Sequence, residues 1–111
     1  MRQTLRIGYW LACVVVSVLS LMPLAYLPPV AFDWWDKAQH ALAFLLLGTL
    51  GLLAYPKAAL RLLIGLLVFG AVIELAQTIT GWRDGDWQDL LANALGLAIA
   101  TLGYWWLRRR D

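Results

Sequence analysis

The sequence has few charged residues and a single cysteine. Asp, Glu, Lys and Arg make up 14% of its 111 residues, whereas a soluble domain carries roughly a quarter. This shortage argues against a soluble enzyme, and the 62% of apolar residues exclude intrinsic disorder. Cys13 has no second cysteine to pair with, so a disulfide scaffold is excluded as well.

Long apolar runs occupy most of the chain, and its mean hydropathy is +0.70. Four runs of about 20 residues, separated by proline, glycine and charged residues, each have the length of a transmembrane helix. The runs are rich in Leu and Ala and lack the alternation typical of strands. We therefore predict an all-α polytopic membrane protein, a single domain over residues 1–111 that forms a four-helix transmembrane bundle. The predicted spans cover about residues 5–27, 34–55, 60–80 and 88–107.

The basic residues predict how the helices are oriented. Of the nine Lys and Arg residues, seven flank the side of the membrane that would hold both termini, and Lys37 and Arg83 lie on the other side. By the positive-inside rule both termini are cytoplasmic. The first run lacks a small-residue cleavage site before Pro28, so we read it as an uncleaved span rather than a signal peptide. Membrane topology explains the basic positions, and we expect no nucleic-acid partner.

The remaining polar residues concentrate near the predicted outer ends of three helices. His40, Glu74 and Asn93 each lie about six residues from the interface, a depth of about 9 Å. Asp36 shares a helix face with His40, as Gln77 does with Glu74. Because polar groups are costly in lipid, these faces are predicted to point into the bundle. The candidate site comprises Asp36, Lys37, His40, Glu74, Gln77, Arg83, Asp86, Asp89 and Asn93.

One stripe of the fourth helix combines polar with small residues. Asp86, Asp89 and Asn93 are followed along it by residues that let helices approach closely. The sequence around Asp36 and His40 also resembles that around Asp89 and Asn93, although the first and third helices do not support a duplication. The small residues of the stripe are Gly96, Ala100 and Gly103.

Purely structural roles remain open for several of these residues. Asp33 and Asp86 suit N-caps, with Asp36 and Asp89 as acids in the first helical turn. Asp33 also suits an exposed pair with Lys37, and Asn93 suits a hydrogen bond between helices. Arg83 could fold back onto Glu74, and Cys13 suits a small apolar filler.

The chain resembles the VanZ-like membrane protein family. The resemblance rests on Asp36-Lys37-x-x-His40 with Phe44 and Gly48, on Glu74-x-x-Gln77, and on Arg83-x-x-Asp86-x-x-Asp89-x-x-x-Asn93-x-x-Gly96, and it covers about residues 33–103. It implies a multispanning protein of the bacterial cytoplasmic membrane that is linked to the cell envelope. The family's namesake is associated with low-level teicoplanin resistance, and the family implies no settled reaction.

Three functions are compatible with these residues. The first is recognition or handling of an envelope molecule, such as a lipid-linked glycan or peptide, by the hydrogen-bonding groups of the outer layer. The second is an intramembrane enzyme in which Asp36 orients His40 as a base and Glu74 is the acid. The third is a small dimeric proton-coupled exporter that uses Glu74. We expect membrane lipids as partners, no cofactor and no typical zinc site, since the chain has one His and one Cys.

Overall fold

The computed structural model describes residues 2–22, 33–81 and 87–109, which form four long α-helices and one short 3-10 helix, without strands. The long helices are α1 (Arg2–Leu21), α2 (Asp33–Ala54), α3 (Ala59–Thr80) and α4 (Trp87–Arg109). At 1.5 Å per residue each is about 30–35 Å long, which is the thickness of the hydrocarbon core of a bilayer. All four are apolar enough to cross a membrane. The predicted all-α fold with four spans is confirmed.

Local sequence explains two of the helix ends. Pro56 has no amide hydrogen to continue α2, and it begins the 3-10 helix Pro56–Ala58 that leads into α3. Gly81 ends α3 in the left-handed region, at a φ of 79°, where a side chain would be strained. Helix α1 ends at Leu21, and residues 23–27 of the first predicted span lie outside the described residues.

Contacts at one end of the bundle fix the relative directions of the helices. Lys37 and Asp89, near the starts of α2 and α4, contact each other, so these two helices are parallel. Gln77 and Ser20, near the ends of α3 and α1, also contact each other. We call this end of the bundle, with Lys37, Gln77 and Asp89, the polar end.

The opposite end carries most of the positive charge. Arg6 at the start of α1 contacts Ala54 at the end of α2, so α1 runs antiparallel to α2. Lys37 is the only Lys or Arg of the described residues that lies at the polar end. The other described basic residues lie at what we call the basic end: Arg2, Arg6, Lys57, Arg61, Arg108 and Arg109.

Small residues bring α2 and α4 together. A Cβ atom on Gly96 would collide with the carbonyl oxygen of Ala41, so the two backbones touch at this glycine. One turn after Gly96 in α4, the Cβ of Ala100 would lie 2.9 Å from a Cβ on Gly48 of α2. The predicted small-residue stripe is wrong at its last position, because Gly103 is exposed and has nothing within 4 Å of the place of its Cβ.

The core of the bundle is built from apolar side chains of all four helices, whereas α1 exposes most of its surface. Cys13 is buried in this core, as predicted for an apolar filler. The exposed apolar side chains suit the lipid surroundings of a membrane bundle. The buried core residues are Tyr9, Cys13, Phe44, Leu47, Leu66 and Leu97.

Candidate functional site

Four polar side chains meet between the first turns of α2 and α4, and we call them the polar cluster: Lys37, His40, Asp89 and Asn93. The ammonium of Lys37 donates to Oδ1 of Asp89 at 2.5 Å. The other carboxylate oxygen, Oδ2, lies 3.4 Å from Nε2 of His40. The second imidazole nitrogen, Nδ1, lies 3.3 Å from Oδ1 of Asn93. Both ring nitrogens of His40 therefore face oxygen atoms of α4.

Helical spacing explains why these four residues can meet. Lys37 and His40 are three residues apart and Asp89 and Asn93 four apart, so each pair lies on one face of its helix. Because α2 and α4 are parallel and touch at Gly96, the two faces stay within hydrogen-bonding distance. The close packing of α2 and α4 at Gly96 thus positions the polar cluster, whose residue Asn93 lies one turn before Gly96 in α4.

Helix α3 adds two further polar residues to the same end. Glu74 and Gln77 are buried, and with Gly70 they occupy one face of α3 at positions i, i+4 and i+7. Gln77 is 1% exposed and donates from Nε2 to the carbonyl oxygen of Ser20 at 2.8 Å. Its Oε1 atom has no hydrogen-bond partner among the described residues. A buried amide oxygen in this state can accept a further donor.

Gly70 joins this face of α3 to the polar cluster. A Cβ on Gly70 would lie 2.8 Å from Nδ2 of Asn93 and 3.3 Å from Cζ of Phe44. The absence of a side chain at position 70 therefore leaves room for the Asn93 amide. Since Glu74 lies one turn further on, the polar residues of α2, α3 and α4 occupy one region of the bundle.

Exposure within the polar cluster is uneven. The side chain of Asp89 is 3% exposed and that of His40 is 12% exposed, whereas that of Lys37 is 29% exposed. Lys37 is thus the most exposed of these three side chains, and Asp89 is the most buried. Among the described residues, no group of three His, Cys, Asp or Glu side chains is arranged to hold a metal ion.

The structure brings together four of the nine predicted site residues and buries two more nearby. Lys37, His40, Asp89 and Asn93 form the cluster, and Glu74 and Gln77 line the adjacent face of α3. The side chain of Asp36, and all of Arg83 and Asp86, lie outside the described residues, as do the proposed caps at Asp33 and Asp86.

Two described contacts bear on the alternatives left open by the sequence, while the side chain of Asp33 lies outside the described residues. Lys37 pairs with Asp89 across two helices, and Asp89 is a buried interhelical partner as well as an acid in the first turn of α4. Asn93 contacts His40 on another helix, which agrees with the interhelical hydrogen bond considered for it. The described partner of His40 Nε2 is Asp89, whereas the enzyme hypothesis assigned Asp36 to that role.

Sequence spacing could not reveal the contacts between helices. The contact of Ser20 with Gln77 could not be predicted from residue types, because Ser20 contributes its backbone carbonyl oxygen. The similarity between the surroundings of His40 and Asn93 was the available hint, since these corresponding residues touch in the structure.

The comparisons with known proteins agree with the resemblance seen in the sequence. The family model VanZ/LLP1 matches residues 3–108, which is nearly the whole chain and more than the quoted motifs cover. No curated protein and no solved structure matches the chain.

Proposed function

Because the chain belongs to the VanZ/LLP1 family of membrane proteins, we propose that it recognises the polar head of a cell-envelope molecule. The molecule is a lipid-linked glycan or peptide in the outer leaflet of a bacterial cytoplasmic membrane. The observation that carries this proposal is the burial of Asp89 between Lys37 and His40 within a membrane bundle. Ionisable side chains in such a position are costly and are usually retained for binding or transport.

The available hydrogen-bonding groups suit a sugar or a peptide. Lys37, whose side chain is partly exposed, carries an ammonium donor, and the amide oxygen Oε1 of Gln77 is an acceptor without a described partner. Hydroxyl and amide groups of a glycan or peptide can both donate and accept, so they complement such a mixture. Asp89 and Glu74 would repel a bare phosphate group that approached without a bridging cation.

The charge distribution supports the outer leaflet as the side of binding. The described basic residues, apart from Lys37, lie at the basic end of the bundle. Under the positive-inside rule the basic end faces the cytoplasm and the polar end faces outward. An envelope precursor that has crossed the membrane would present its head group at that outer end.

Native mass spectrometry of the protein purified in mild detergent tests the proposal. We expect the wild type to retain a lipid-linked glycan or peptide, and Glu74→Gln to lose most of it. Thr101→Val is the matched control, since Thr101 bonds to its own helix at Leu97, two turns beyond Asn93. Equal retention by wild type and Glu74→Gln would contradict the proposal. Drug-dependent proton release without a bound lipid would favour the exporter instead.

A second candidate function, an intramembrane enzyme, is favoured by one contact. Oδ2 of Asp89 lies 3.4 Å from Nε2 of His40, which is the arrangement of a carboxylate that orients an imidazole base. The basic nitrogen would be Nδ1, which would have to leave Oδ1 of Asn93, 3.3 Å away, to take a proton from a hydroxyl group of the bound molecule. His40→Gln would then keep the bound lipid but abolish its conversion, whereas loss of the bound lipid itself would indicate a binding role.

A further inference from the structure

We propose that the basic end of the bundle carries a separate binding site for one anionic phospholipid, in the groove between the start of α1 and the end of α2. The groove is an open depression of about 530 Å³, lined by side chains of α1 and by Tyr55, which follows the end of α2. Its occupant is a diacyl lipid whose phosphate meets Arg6 and whose chain lies along α1. The site is about 25 Å from the polar cluster, the rise of α2 between Lys37 and Ala54.

Arg6 is held at the polar mouth of the groove by its neighbours. Its Nε donates to the carbonyl oxygen of Ala54 at 3.4 Å, and its guanidinium lies 4.7 Å from the centre of the Tyr55 ring. The Tyr55 hydroxyl in turn accepts a hydrogen bond from Nε1 of Trp10 at 2.9 Å. The terminal Nη groups of Arg6 donate to no other described residue. The side chain is therefore held in place while these N–H groups remain available to donate. A guanidinium with free donors is well suited to bind a phosphate.

The rest of the groove changes from polar to apolar along α1. Gln3 lies beside Arg6, and then Ile7, Leu11 and Val14 follow at spacings that keep them on one face of the helix. The three apolar side chains are between 54% and 60% exposed. A groove with a cation at the membrane surface and an apolar wall toward the centre matches the order of groups in a phospholipid.

The local charge favours a lipid with net negative charge over a zwitterionic one. The first turn of α1 contains no acidic residue, and Arg2 precedes Arg6 by one turn. The described acidic side chains, Glu74 and Asp89, lie at the polar end. The positive potential near Arg6 is therefore not offset by a described carboxylate, and each basic side chain near the surface adds about 1 kcal/mol of attraction to an anionic lipid.

Competition between two lipids tests this inference. The protein, stripped of lipid in detergent, is mixed with equal amounts of dioleoyl phosphatidylglycerol and dioleoyl phosphatidylcholine, and adducts are counted by native mass spectrometry. We expect one preferred phosphatidylglycerol adduct, weakened about tenfold in Arg6→Gln, since a tenfold loss is about 1.4 kcal/mol and a hydrogen bond to a charged group contributes about that much. Arg61→Gln is the control. Arg61 is exposed and lies at the same end of the bundle, but it does not line the groove.

Two further variants test whether the lipid chain occupies the groove. Leu11→Trp fills the groove from the exposed side and should weaken the adduct, whereas Val15→Trp, exposed outside the groove, should not. Equal losses in Arg6→Gln and Arg61→Gln would overturn the proposal in favour of diffuse attraction. Displacement by inorganic phosphate would overturn it in favour of a simple anion site. Displacement by a second copy of the chain would also overturn it.

The same variants keep this proposal distinct from the proposed function. Arg6→Gln should leave the lipid-linked glycan or peptide at the polar end in place, because the two sites lie at opposite ends. Glu74→Gln should leave the phosphatidylglycerol adduct in place. If Arg6→Gln instead removes the polar-end ligand and spares phosphatidylglycerol, the groove does not bind the lipid.

Discussion

The ammonium of Lys37 and the carboxylate of Asp89 join α2 to α4 at the polar end, with 2.5 Å between Nζ and Oδ1. The carboxylate is almost fully buried and the lysine is partly exposed. The pair therefore ties two parallel helices together and fixes the position of the Lys37 ammonium.

The two halves of this pair should depend on each other for stability. Asp89→Asn removes the Asp89 carboxylate from the Lys37 ammonium and should cost about 2 kcal/mol. Lys37→Met leaves the carboxylate without its cation and should cost a similar amount. The double variant Lys37→Met/Asp89→Asn removes both charges, so it should be more stable than the sum of the two losses predicts. The free energy of unfolding in detergent, measured over the four proteins, checks this expectation.

Additive losses in that cycle would contradict the direct pairing. Thr101→Val serves as a control for substitution in α4, because the Thr101 hydroxyl donates to the carbonyl oxygen of Leu97 in the same helix. It should change the free energy of unfolding by less than the charged variants do.

The approach of α2 to α4 should depend on Gly96. Gly96→Ala adds a Cβ that would collide with the backbone at Ala41, and forcing the helices apart should cost about 1–3 kcal/mol. Gly103→Ala is the matched control on the same helix, since nothing lies near its Cβ position. It should be neutral or slightly stabilising because alanine favours helix. Thermal unfolding in detergent measures both, and equal effects would contradict the contact at Gly96.

The predicted topology can be tested with single cysteines in a Cys13→Ala background. Trp87 is exposed at the polar end and Lys57 is exposed at the basic end. An impermeant maleimide added to intact cells should label Trp87→Cys and spare Lys57→Cys, because the positive-inside rule predicts that the basic end faces the cytoplasm. Labelling of Lys57→Cys alone would reverse the orientation.

The sequence was sufficient to predict four helices, because the apolar runs and their breakers are set by the requirements of a bilayer. It also predicted that His40, Glu74 and Asn93 share a level. His40 does lie against Asn93, but the residue of α3 beside Asn93 is Gly70, one turn before Glu74. It could not predict which faces meet. That depends on the rotation of each helix about its axis, and the rotation is fixed by contacts such as Gly96 with Ala41 and Gly70 with Asn93.

Two features show that residue spacing within one helix does not predict contacts between helices. The pair of Lys37 and Asp89 joins residues that are far apart in the chain, and Lys37 had an equally plausible partner on its own helix. Gly103 fits the small-residue stripe of α4 by periodicity, yet it lies at the basic end with nothing against it. Only the packing of the helices distinguishes it from Gly96.

The most direct test of the central claim, that the polar cluster contacts the head of an envelope molecule, is nitrogen NMR of the imidazole. His40 is the only histidine of the chain, so its ring signals are assigned without ambiguity. Both ring nitrogens face oxygen atoms of α4, and a molecule bound beside them should change their surroundings. We predict that the His40 signals shift on titration with a polyprenyl-linked disaccharide peptide but not with phosphatidylglycerol. Unchanged His40 signals at saturating disaccharide peptide would contradict the account.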